Sequence, residues 1–146
     1  MERLIEFVLN HYLLSLALAV VTFLLIQDLV ESLTNKFKSL SPMLAIVKMN
    51  SQGATILDVR EPAEFSKGHI EDAVNIPVGK IEEQISQLSG SKSAPFIVVC
   101  QTGTRSVPAC RSLTKAGFTD IYTITGGMQS WEDNKLPIKA GKKQKV

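Results

Sequence analysis

Apolar positions are arranged in two different ways along the chain. From Phe7 to Gln27 they continue for 21 residues without Asp, Glu, Lys or Arg, and only Asn10, His11, Ser15, Thr22 and Gln27 are distinctly polar. From Pro42 onward they come in short bursts separated by Gly, Pro and charged residues. The first stretch has no polar face, which predicts a helix with an apolar medium all round it. At ~1.5 Å per residue it is about 31 Å long, matching a hydrocarbon core of ~30 Å. A cleaved signal peptide fits less well. The start Met1-Glu2-Arg3-Leu4-Ile5-Glu6 is mixed in charge, and Ala17-Leu18-Ala19 lies inside the apolar run rather than after it. Residues 1–40 are therefore expected to form a retained single-pass anchor, spanning about 7–27, and a linker.

The second stretch alternates between the two backbone periods. Ser41-Pro42 reads as an N-cap followed by proline at the first helical position, and Gly53 as the C-terminal cap of that helix. Thr55–Val59 is a short β-prone run, Glu61–Lys67 a helical turn, and Ala73–Pro77 a brief strand ended by proline. Ile81, Ile85 and Leu88 fall at i, i+4 and i+7, one face of a helix closed by Gly90. Phe96-Ile97-Val98-Val99 is continuously apolar, as a strand buried on both faces requires. A helix over Ser106–Ala116 stops at Gly117, a strand follows over Asp120–Ile124, and Gly126-Gly127 leads into a short helix carrying Trp131. Strands alternating with helices predict an α/β domain over 41–140, with a mostly parallel sheet covered on both faces.

Charge changes the picture at the two ends. Residues 42–134 carry eight basic and ten acidic side chains, whereas residues 135–146 carry five basic and no acidic ones. A folded domain that is slightly acidic lacks the basic face that nucleic acid requires, so no nucleic-acid partner is expected. Residues 141–146 are expected to be a basic tail, and the lysines from Lys135 to Lys145 to be solvated or to lie on anionic lipid. Lys36, Lys38 and Lys48 follow the apolar span, against Arg3 and the amino terminus before it, which favours a cytoplasmic location for the domain. The only cysteines, Cys100 and Cys110, and the only histidines, His11 and His69, offer no CxxC and no Cys/His zinc cage. A lone reactive thiol suits the same reducing compartment.

Chemistry concentrates at Cys100-Gln101-Thr102-Gly103-Thr104-Arg105-Ser106. Cys100 stands where the Phe96–Val99 strand ends and a helix is about to begin, the place where open parallel sheets carry their sites. Gly103 lets the loop curl with several N–H groups facing one point. Those groups, the helix N-terminus and Arg105 favour a thiolate and attract an anionic substrate. The competing reading of the same residues is a buried structural cysteine.

The residues surrounding this loop resemble a known family. Leu57-Asp58-Val59-Arg60-Glu61, Glu64-Phe65, Gly68-His69-Ile70 and Ala73-Val74-Asn75-Ile76-Pro77 look like the first signature of the rhodanese-like domain. The Cys100–Ser106 loop, Ala116-Gly117-Phe118, and Gly126-Gly127-Met128 with Trp131 resemble its remaining landmarks, in the family's order and spacing over about 42–138. With the N-terminal span added, the chain is similar to bacterial membrane-anchored single-domain rhodanese proteins. The resemblance implies a parallel five-stranded sheet flanked by helices, no cofactor, and residence in the bacterial inner membrane. It makes Cys100 the nucleophile that carries a persulfide. Gln101, Thr102, Gly103, Thr104 and Arg105 become its cradle, with Arg105 holding an anionic sulfur donor such as thiosulfate. A thiol or cyanide then takes the sulfur, and no metal takes part.

Three functions compete at this point. The first is a membrane-anchored sulfurtransferase, and the second a catalytically idle module serving as a tethered interaction domain. The third is a phosphatase or arsenate reductase, but those loops hold five residues between cysteine and arginine, whereas Cys100 and Arg105 enclose four. Elsewhere, Asp58 is expected to be structural, and Arg60 is either a border of the pocket or structural. His69 is expected to pin a turn and Trp131 to lie in the core. Cys110 is expected on a buried helical face, with a resolving-thiol role as its alternative.

Overall fold

A computed structural model describes residues 10–34, 36–88 and 92–140. Residues 7–9 of the expected span, the expected helix stop Gly90 and the 141–146 tail lie outside them. The chain divides into two units, Met1–Asn35 and Lys36–Val146.

The first unit contains helix α1, Tyr12–Thr34. Its large apolar side chains, from Leu13 and Leu14 through Phe23 to Ile26, are exposed around the whole circumference. The Thr22 hydroxyl is satisfied inside the helix, donating to the Leu18 carbonyl at 2.7 Å. Among the described residues no helix is long and apolar enough to cross a membrane. The uncharged part of α1 that is described, Tyr12–Gln27, has sixteen residues, about 24 Å at ~1.5 Å per residue, which is shorter than the expected 7–27 span.

The second unit is the α/β domain. After strand β1 (Lys38–Leu40) come α2 (Pro42–Gln52), β2 (Thr55–Asp58), α3 (Pro62–Lys67) and β3 (Val74–Asn75). Then follow α4 (Ile81–Gln84), β4 (Phe96–Val99), α5 (Ser106–Lys115), β5 (Ile121–Ile124) and α6 (Gly127–Asp133). The five strands form one sheet in the order β1-β5-β4-β2-β3, and every pairing is parallel. The parallel five-stranded sheet flanked by helices is thus as expected.

Side-chain alternation along the strands divides the core into two layers. Phe96, Val98 and Cys100 of the central strand and its end join Leu57, Ala109, Cys110 and Leu113 on one face. Ile97 and Val99 join Ala45, Ile56, Ile124, Met128 and Trp131 on the other. The caps of α2 form as predicted: Ser41 Oγ accepts from the Leu44 N–H at 3.4 Å, and Gly53 sits in the left-handed region at φ 61°.

Three elements differ from their sequence expectations. The Ile81–Leu88 helix is broken into α4 between two 3₁₀ turns, Val78–Lys80 and Ile85–Gln87, while Ile81, Ile85 and Leu88 still face the core. The Ala73–Pro77 strand shortens to two residues. The Asn75 side chain there donates to the carbonyls of Asp58 (3.0 Å) and Arg60 (2.9 Å). The third difference moves a boundary. Lys38–Leu40, placed in the linker by the sequence, pairs with Tyr122–Ile124 as an edge strand, and Phe37 packs against the first core layer.

The strand order also locates the site. From β2 the chain proceeds to β3 on one side, whereas from β4 it proceeds to β5 on the other. These neighbours therefore send their connections in opposite directions and open a crevice beyond their carboxyl ends. Arg60 and Cys100 stand at those ends.

The domain boundary is testable by truncation. A chain starting at Lys36 should fold. One starting at Ser41 loses β1 and the Phe37 contact, a loss of about 1–3 kcal/mol if the phenyl ring dominates. Its thermal midpoint should lie roughly 5–15 °C lower. Equal midpoints by circular dichroism would return residues 36–40 to the linker.

Candidate active site

Cys100 directly follows the buried strand β4 and is itself completely buried. The chain then curls over its side chain. The Gly103 N–H donates to Cys100 Sγ at 3.0 Å, and the Ser106 hydroxyl lies 3.2 Å from the same sulfur. Gly103 adopts φ 98°, a conformation that side-chain-bearing residues rarely take, and this turns its N–H inward.

The opposite edge of the loop is held by α6. The Met128 N–H donates to the Cys100 carbonyl at 2.8 Å, and the Gln129 N–H to the Gln101 carbonyl at 3.0 Å. Gly127 makes this approach possible. A Cβ there would overlap the Cys100 carbonyl oxygen, and the residue also sits at φ 59°.

Two arginines flank the loop, and both are engaged. Arg60 is buried against the fully buried Asp58, with its Nη2 2.7 Å from Asp58 Oδ2 and its Nε on both carboxylate oxygens. It also donates to the Gly68 carbonyl at 2.7 Å and to Gln101 Oε1 at 3.1 Å. A buried charge requires this degree of satisfaction. Arg105 makes a two-pronged pair with Glu64, Nη1 to Oε2 at 2.7 Å and Nη2 to Oε1 at 2.8 Å. The Arg105 hydrogen bond holds the Glu64 carboxyl down to about 2, so this pair stays ionised through the physiological range. Glu64 pushes the Arg105 pKa up in turn. Glu64 is itself fixed as the third residue of α3, where Oε2 accepts the Glu61 N–H at 3.1 Å.

Beside the loop lies a cleft of about 460 Å³, lined by Arg60, Glu64, Lys67, Gln101, Glu132 and Ile138 among others. The loop, cleft and strand ends carry the pattern of one family, whose profile, described as Rhodanese-like domain, matches residues 43–134. The chain belongs to the rhodanese-like domain family. The Escherichia coli K12 protein YibN is 30% identical over 143 residues, covering 97% of this chain and 100% of YibN. Thiosulfate sulfurtransferase GlpE of Pseudomonas syringae is 35% identical over 96 residues, 66% of this chain and 88% of that protein. The crystal structure of a rhodanese-related protein from Thermoplasma volcanium matches with a TM-score of 0.61 at 32% identity, covering 70% of this chain and 98% of that one.

Within this rhodanese-like site, the residues named from sequence come together unevenly. Cys100 and Gly103 meet at the sulfur, while Thr102 and Thr104 are exposed at the rim, their hydroxyls 3.3 Å apart. Gln101 turns to the cleft and is oriented by Arg60, which both borders the cleft and props the loop. Asp58 is structural, as expected, with its oxygens turned to Arg60 and its Oδ1 accepting the Arg60 N–H at 3.0 Å. Arg105, expected to hold an anionic donor, already holds a carboxylate with its terminal nitrogens.

Three residues of the site stand in the sequence motifs without the roles they hold here: Glu64, Ser106 and Gly127. Glu64 does carry a local signal. Glu61 and Glu64 stand at the N-cap and third helical positions of a capping box, with Pro62 at the first, and this spacing fixes a carboxylate at the start of α3. Ser106 and Gly127 carry no such signal, because their partners are the sulfur and a carbonyl brought close only by the fold. His69 pins its turn as expected, stacking on Phe65 at 3.8 Å and pairing with the Lys139 backbone. Trp131 is core, and its Nε1 donates to the Pro137 carbonyl at 3.0 Å. Cys110 is buried, which pushes its pKa up to about 12.

Gly127→Ala tests the clamp. It adds a Cβ against the loop carbonyl at a left-handed position, and should cost at least about 2 kcal/mol of stability. Denaturant unfolding measures this, and an unchanged midpoint would show that the loop does not depend on the close approach.

Proposed function

We propose that the chain is a thiosulfate-type sulfurtransferase held at the bacterial inner membrane by an N-terminal span over about 7–27, with its domain in the cytoplasm. The observation that carries the catalytic part is Cys100 Sγ at the base of a loop that aims the Gly103 N–H and the Ser106 hydroxyl at it. The likeness to GlpE, a protein named thiosulfate sulfurtransferase, supports it. In the first half-reaction, the Cys100 thiolate attacks the outer sulfur of thiosulfate. A new S–S bond forms, the donor's S–S bond breaks, and sulfite leaves with the electron pair. In the second, a thiol or cyanide attacks the outer sulfur of the resulting persulfide, and the pair returns to Sγ. No general base enters this scheme, because the nucleophile is the thiolate form of a thiol. Arg105 assists through the N–H groups that Glu64 leaves unused, since a guanidinium has five.

A catalytically idle interaction module is the second reading. The complete burial of Cys100 favours it, because a donor reaches the sulfur only if the loop mouth opens. The membrane part of the proposal rests on the exposed apolar circumference of α1 and on Lys36 and Lys38 following it.

Thiosulfate treatment followed by mass spectrometry should find one added sulfur, on Cys100, and cyanide should release it as thiocyanate. Cys110 remains a neutral thiol at neutral pH and up to about 12, so iodoacetamide at about pH 7.5 should modify Cys100 well before it. No sulfur uptake, with Cys100→Ala indistinguishable from the parent, leaves the idle module standing. For topology, a reporter active only in the periplasm and fused after Val146 should be silent. A strong signal reverses the orientation.

A further inference from the structure

The Ser106 hydroxyl is completely buried and has two acceptors within reach, Cys100 Sγ at 3.2 Å and the Gly103 carbonyl oxygen at 3.2 Å. A serine hydroxyl carries one hydrogen, so it serves one of them at a time. Charge decides between them, because a hydrogen bond to an ionised acceptor is roughly twice as strong as one between neutral groups. The Gly103 N–H has no such freedom, being fixed in the backbone 3.0 Å from the sulfur.

We propose that Ser106 is a catalytic residue of the discharge half-reaction, its hydroxyl turning from the Gly103 carbonyl to Cys100 Sγ as Sγ becomes the leaving thiolate. This rests on the sulfurtransferase reading above. In the persulfide, Sγ is bonded to both Cβ and the outer sulfur and carries no net charge, so the Gly103 carbonyl is the better acceptor. When cyanide attacks the outer sulfur, a C–S bond forms and the S–S bond breaks. The outer sulfur departs as thiocyanate, and the electron pair stays on Sγ. Negative charge thus develops on an atom that the Ser106 hydrogen reaches by rotation about one bond. A donor whose bond strengthens as charge develops lowers the barrier.

Loading runs the other way. There Sγ gives up its charge as it attacks thiosulfate, so a donor on it stabilises the starting state more than the transition state. Loss of the hydroxyl should therefore slow discharge and leave loading unchanged or faster. A hydroxyl that only tied down the Gly103 carbonyl would shape the loop for both halves, and its loss would slow both.

The test compares the full chain with Ser106→Ala and Ser106→Thr in single-turnover experiments. Sulfite release follows loading by thiosulfate, and thiocyanate formation follows discharge by cyanide. Ser106→Ala should discharge about tenfold more slowly and load no more slowly than the parent. Ser106→Thr keeps the hydroxyl and should recover most of the discharge rate. Discharge unaffected in Ser106→Ala, or loading and discharge slowed alike, overturns the assignment. If Ser106→Ala does not fold, a Ser106→Thr chain that folds but discharges about tenfold more slowly than the parent overturns it too. A parent chain that takes up no sulfur overturns the sulfurtransferase reading, and this assignment with it.

Discussion

A peptide unit points its N–H and its carbonyl in opposite directions, so a loop can face a sulfur with donors only if its carbonyls are accommodated behind it. In this domain α6 provides that accommodation. The Met128 and Gln129 N–H groups take the carbonyls of Cys100 and Gln101, and Gly127 brings the two backbones close enough for both bonds. Everything at the sulfur follows: the left-handed turn at Gly103, its inward N–H, and the start of α5 at Ser106. The buried Asp58–Arg60 pair performs the matching task on the cleft side, holding Gln101 by its side-chain oxygen.

The sheet explains why these supports meet at one place. β2 and β4 are neighbours whose onward connections diverge, so their carboxyl ends face a gap rather than a covering helix. Arg60 enters that gap from one strand and Cys100 from the other. The helices that close its sides, α3 and α6, contribute Glu64 and the Gly127 approach. Groups separated widely in sequence therefore converge without any long loop.

Local signals made much of this legible in the sequence. The continuous apolar run Phe96–Val99 marked the buried central strand, Ser41-Pro42 and Gly53 marked both ends of α2, and the Cys100–Ser106 stretch marked the loop. What escaped was set by tertiary partners. Lys38–Leu40 is three residues with a lysine at its start, too short to show a period of two, and becomes a strand only because β5 has an open edge. The Arg105–Glu64 pair spans 41 positions, and no spacing rule connects them. The Ile81–Leu88 periodicity identified the right inward-facing side chains but not the 3₁₀ turns that present them.

The burial of Cys100 also governs its exposure to damage. Reactive cysteines are ordinarily vulnerable in proportion to their thiolate character and accessibility, and over-oxidation to sulfinic or sulfonic acid is largely irreversible. Cys100 has no accessible surface, so the second of these factors is withheld from it. Peroxide, like any other small molecule, finds no accessible surface on this sulfur. The fold thus shelters the sulfur by limiting access while leaving its donors in place.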